Sequence, residues 1–267
     1  MSTTQNIIPD VGRFQAVIKS LEQFDNIEVL PVVKALLAPT EREQCFVAAY
    51  YRTVAHARTL LIFAEPAHFQ AIAMIARTLY ELAIDIRLID KVPDAIQKLY
   101  AFCDSERLRV ARNVVALAAS GKIADDVSVQ IAYIANKGAT IDAQHQVFWP
   151  GTNKVAHWSA MNLRDRAKKL GSPYDVAYDQ SYAELSWDVH PGLAGVLNLD
   201  SSVFPAKCGL AFKFAIDWYM NILRAVAHEL KIDKGVEKFD DKLKLAMYLP
   251  MTDSPEQAAQ LRKATIG

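Results

Sequence analysis

Apolar positions recur at helical spacing along nearly the whole chain, and the breaks between them carry helix start and stop signals in place of strand alternation. Residues 10–37 read as one or two short helices, with Pro31 as a start or kink. Thr40 to Glu43 has the T-x-x-E form of a capping box and opens a helix to about Ala64. Pro66 starts the next, which runs through FQAIAMIARTLYELAIDIRLI to about Ile89. Pro93 begins a third long helix that reaches Ser120-Gly121, and a fourth covers residues 124–147. From His145 to Ser172 the pattern is irregular, containing Trp149-Pro150-Gly151, His157-Trp158 and a short basic helix from Asn162 to Leu170. A tyrosine-rich helix follows, then an extended link from Asn198 to Pro205 and an apolar helix to about Leu230. Residues 234–248 and a tail opening at Ser254-Pro255 complete the set. These elements predict an all-α fold, a single helical bundle of about eight to ten helices over residues 1–267. Within it, residues 232–267 form a C-terminal helical appendage.

The helix from Pro66 to Ile89 is apolar over roughly 260° of its circumference, so it is expected at the centre of the bundle. Its charges Arg77, Glu81 and Asp85 collect with Gln70 and Thr78 in one narrow strip. Met74 and Leu88 fall in the same strip and argue for its partial burial. A charge in such a place needs a partner, and Glu81, four residues after Arg77, supplies one.

The tyrosine helix places Tyr174, Tyr178, Tyr182, Ser186 and His190 at intervals of four. Ser172 is a candidate N-cap, with Pro173 at the first helical position, and Pro191-Gly192 ends the segment. Each step of four overshoots a turn by about 40°, so the run drifts around the cylinder. Tyr174, Tyr178, Tyr182, Leu185 and Val189 share a face suited to a core, while Ser186 and His190 roll onto its flank. His190 sits on the last turn, where unpaired carbonyls favour imidazolium, and is the leading candidate for handling a proton or an anion.

Composition narrows the partners. The chain has 267 residues, of which 52% are hydrophobic, with 30 Lys plus Arg against 30 Asp plus Glu. A net charge of zero offers no general attraction to nucleic acid or anionic lipid. The run Arg164, Arg166, Lys168, Lys169 reads as a solvated amphipathic face. Cys45, Cys103 and Cys208 stand singly, as in a reducing compartment, and no uncharged apolar run is long enough for a membrane span. The expectation is a soluble cytoplasmic protein. Glu65-x-x-His68 has half of a di-iron pattern but lacks the second copy, so neither metal nor other cofactor is expected.

Arg77-x-x-x-Glu81 on an apolar helix, followed by Trp158-Ser, a short basic helix and Tyr178-x-x-x-Tyr182-x-x-Leu-Ser186-x-x-x-His190, resembles a bacterial family of uncharacterised helical proteins. The likeness covers residues 65–225 and implies an architecture and a shared site without an established activity. Pro191-Gly192 stands where that family leads one to expect a small or hydroxyl residue after the histidine. A more distant likeness is to the HEPN helical ribonucleases, which pair an Arg with a His across four to six intervening residues. Arg52 and His56, and Arg224 and His228, have three intervening residues and depart from that pattern.

Two functions stay open. One is a phosphodiester- or RNA-directed activity in defence, of the metal-independent ribonuclease kind. There His190 is general acid or base, Arg77 stabilises charge on phosphate, Glu81 orients Arg77 and Tyr182 donates a hydrogen bond. The other is a non-enzymatic module that binds a small anionic ligand or a protein partner, with Arg77 and His190 as anchors and the loop from Trp149 to Trp158 as a lid; Tyr178, Tyr182, Ser186 and Trp158 are the candidate ligand-binding residues. A homo-oligomer is compatible with either.

Overall fold

The computed structural model describes residues 10–63, 65–189 and 201–266. All regular elements among them are helical. They are α1 (Val11–Glu28), α2 (Leu30–Ala35), α3 (Glu41–Leu60), α4 (Phe69–Leu88), α5 (Ala95–Ala119), α6 (Ser128–Phe148) and α7 (Leu163–Leu170). There follow α8 (Tyr174–Ala177), α9 (Ala183–Val189), α10 (Phe204–Glu229), α11 (Ile232–Gly235), α12 (Phe239–Tyr248) and α13 (Pro255–Ile266). A π turn, Tyr178–Tyr182, joins α8 to α9 without a break. No helix among the described residues is long and apolar enough to cross a membrane.

Several boundaries follow from local chemistry. The capping box of α3 is complete: Thr40 Oγ1 accepts from the Glu43 backbone N–H, and the Glu43 carboxylate accepts from Thr40 N–H at 2.8 Å. Pro66 opens a 3-10 turn that leads into α4, and Pro205 sits in the first turn of α10. Ser172 does not cap the tyrosine helix. Pro173 holds the N-cap position instead, and Tyr174 N–H bonds the carbonyl of Gly171, whose φ of +74° suits glycine.

The chain divides into two compact units. One comprises Met1–Arg87 with Leu170–Gly267, the other Leu88–Lys169. In the first, α1, α3 and α10 form the main core, with Leu21, Tyr50, Phe212, Tyr219 and Leu223 almost wholly buried. Arg42 at the start of α3 forks onto Glu229 at the end of α10, with N to O distances of 2.6 and 2.7 Å, which fixes these helices antiparallel. In the second unit α5 and α6 form an antiparallel hairpin, in which Ser105 faces His145 and Arg112 faces Asp142.

Asp25 of α1 lies in this first core with no solvent exposure. Tyr50 donates to its Oδ2 at 2.9 Å, while Oδ1 has no partner among the described residues. Burial outweighs that hydrogen bond and pushes the carboxyl up from the usual 3.8 to about 6. Folded and unfolded states are both protonated below about pH 3, so the group then costs nothing. As pH rises from there through 6 the unfolded chain gives up the proton first, stability falls, and the loss levels at about 3 kcal/mol. Asp25→Asn should therefore gain about 3 kcal/mol over the parent protein at pH 8 and almost nothing at about pH 3 in denaturant unfolding. A gain that is the same at both pH values would show that Asp25 does not titrate in this way.

Candidate functional site

The site grows out of α4, whose Ile72, Ala73, Ala76, Leu79, Ala83 and Ile84 are buried. Arg77 and Glu81 lie one turn apart on its remaining strip, with side chains 20% and 40% exposed. Of the two apolar residues in that strip, Leu88 is buried and Met74 is exposed. The direct contact between the charges is long, at 4.0 Å. Their link is the hydroxyl of Tyr182, which accepts from Arg77 Nη2 at 2.8 Å and donates to Glu81 Oε1 at 2.6 Å. The Arg77 guanidinium carbon also lies 4.8 Å from the centre of the Tyr182 ring, within cation–π range.

The π turn sets the position of that ring. Ala183 N–H bonds the carbonyl of Tyr178, five residues back, so an extra residue enters the turn. The widened turn cancels the drift expected of an α-helix at this step. Tyr178 and Tyr182 stack with ring centres 5.4 Å apart and planes 16° from parallel. Downstream, Leu185 is fully buried and Ser186 is half-buried.

Tyr80 of α4 pins the other side of the assembly. Its ring packs on Tyr182, Phe214 and Trp218 at 4.9–5.5 Å. Its hydroxyl donates to the Tyr174 carbonyl at 2.8 Å, and Tyr174 in turn donates to Asn221 of α10 at 3.0 Å. α4, the tyrosine helix and α10 are thereby locked around one aromatic cluster.

Burial raises the Tyr182 phenol, and the Glu81 carboxylate adds to that, pushing it up to about 12 against the opposing pull of Arg77. The hydroxyl keeps its proton at neutral pH and serves as a relay, unsuited to act as a base. Arg77 Nε is buried with no acceptor among the described residues. Such an N–H is costly to leave unbonded.

Of the residues expected from sequence, Arg77, Glu81 and Tyr182 meet, and Tyr178 supports them. Trp158 belongs to the second unit, where it is buried and packs 5.3 Å from the His157 ring. His157 Nε2 accepts from the buried Arg166, so the basic run of α7 is not wholly a solvated face. His190 lies outside the described residues. Tyr80 was not among the expected residues. Its position between Arg77 and Glu81 looks like ordinary core spacing, and only its neighbours show its role.

Among the described residues no group of three His, Cys, Asp or Glu side chains could hold a metal ion. The architecture is that of an all-helical protein with a guanidinium, phenol and carboxylate cluster on its central helix. Residues 44–202 match DUF5677, a family of unknown function, and the chain belongs to that family. The matched segment contains Arg77, Glu81 and Tyr182. Neither a curated protein nor a solved structure matches the chain.

Tyr182→Phe should cost about 1–2 kcal/mol in urea unfolding, because it leaves a guanidinium N–H and a carboxylate without their shared partner. Combined with Arg77→Met, the loss should be clearly smaller than the sum of the two single changes. Strict additivity would mean that the hydroxyl and the guanidinium are not coupled.

Proposed function

We propose that the Arg77, Tyr182 and Glu81 cluster is an oxyanion-recognition site in a helical module that binds a small anionic ligand. The observation that carries this reading is the buried Arg77 Nε with no acceptor among the described residues. The guanidinium is held in place by Tyr182 and Glu81, so little conformational freedom is lost on binding. Neither Tyr182, which keeps its proton, nor Glu81, which accepts from it, is arranged to take a proton from a substrate.

A second reading, a phosphodiester-directed activity on RNA with a distant likeness to HEPN ribonucleases, is favoured by the π turn. Such turns are rare and concentrate at functional sites. In this reading Arg77 stabilises charge on phosphate, Glu81 and Tyr182 hold it, and His190 supplies the general acid or base.

Inorganic phosphate titrated into the protein, followed through arginine side-chain NMR signals, tests the first reading. The Arg77 Nε–H signal should shift and saturate. An unshifted signal in the presence of excess phosphate would overturn the site. Incubation with a labelled single-stranded RNA separates the readings. Intact RNA supports the binding module, whereas cleavage lost in both Arg77→Ala and His190→Ala supports the second.

A further inference from the structure

A polar cavity lies wholly inside the other unit, between α5, α6 and the segment after α6. Its volume is about 440 Å3, within the roughly 300–1,000 Å3 of small-ligand sites. His145, only 7% exposed, forms part of its wall and marks it as more than a surface crease. Thr152 Oγ1 spends its hydrogen on the Trp149 carbonyl at 2.9 Å, so it receives the Nε2–H of His145 at 3.4 Å. Ser105 Oγ lies 3.2 Å from Nδ1 on the other side of the ring. Gln146 fixes the rim from both ends of its amide, donating to the Thr152 carbonyl at 2.8 Å and accepting from Gly151 N–H at 3.0 Å. The next two residues, Asn153 and Lys154, therefore stand on an anchored segment.

The charges of the lining are unequal. Arg109 forks onto Glu106 and Arg112 onto Asp142, with shortest distances of 2.6 Å in each pair. Lys154 also lines the cavity and makes no ion pair among the described residues. Three cations against two carboxylates leave one positive charge in a chain whose own net charge is zero. The carboxylates hold the guanidinium planes still while leaving Arg109 Nη1 and Arg112 Nε without acceptors among the described residues. The side chains of Asn113 and Asn153, also in the lining, make no hydrogen bond among the described residues and can face hydroxyl groups.

We infer that this cavity binds a small hydroxylated phosphate monoester, with the phosphate against Lys154 and the two guanidinium edges and the hydroxylated body against Asn113 and Asn153. The site is independent of the Arg77 cluster and uses none of its residues. Ribose 5-phosphate titrated into the full chain by isothermal calorimetry tests it, with ribose as the uncharged probe. Saturable binding of ribose 5-phosphate is expected, with ribose weaker by about tenfold or more. Lys154→Glu should weaken ribose 5-phosphate by at least about tenfold, and because Lys154 is exposed the variant should fold as the parent does. In the Arg77→Ala variant, which removes the other anion site, saturable binding of ribose 5-phosphate should persist and Lys154→Glu should still weaken it. Absence of saturable binding, equal binding of ribose, or indifference to Lys154→Glu would each overturn the assignment. Loss of binding in Arg77→Ala alone would move the ligand to the other cluster and also overturn it.

Discussion

A guanidinium on a helix that is otherwise buried has to be compensated, and the way α4 does this governs the arrangement around it. Glu81 on the same helix is too far from Arg77 for a direct hydrogen bond, at 4.0 Å. The Tyr182 hydroxyl closes the gap by accepting from one and donating to the other. A neutral group that serves both charges avoids bringing a second ionised partner into a poorly solvated place. It also requires the tyrosine helix to approach α4 at one definite height. Tyr80 enforces the same height through its bond to the Tyr174 carbonyl.

The hairpin of α5 and α6 handles charge by another route. Arg109 and Arg112 lie where water reaches them, and each takes a carboxylate fork. Such pairs add little stability but orient the guanidinium planes. Among the buried polar groups of that unit is His145, with a hydroxyl beside each ring nitrogen. Asp25 shows what happens when compensation is incomplete. One tyrosine hydroxyl serves one of its oxygens, and burial raises its proton affinity to make up the difference. The neighbouring Tyr50 and Tyr219 phenols are likewise raised, burial being the leading cause for both.

Much of this was legible along the chain. The capping box at Thr40, the proline starts at 66 and 205, the central place of the 66–89 helix and the short helix before Gly171 all follow from local rules, because caps, prolines and periodicity act within a few residues. The strip holding Arg77 and Glu81 was legible too, since a narrow polar stripe on an apolar cylinder cannot be wholly solvated. Ser172 misled: a hydroxyl before proline satisfies the pattern of a cap, yet the backbone after Gly171 turns so that Pro173 takes the position.

The sequence by itself determined an all-helical protein, the order and approximate limits of its helices, and the pairing of a cation with a carboxylate on the most apolar of them. Only the tertiary structure decided that the two are joined through Tyr182, that a π turn stacks Tyr178 on it, and that Ser105 and His145 close a separate polar cavity. Periodicity ranks the faces of one helix, because it depends on angles about one axis. Which hydroxyl reaches which charge depends on the distance between axes and on a single inserted residue, and those are settled by packing among segments a hundred positions apart.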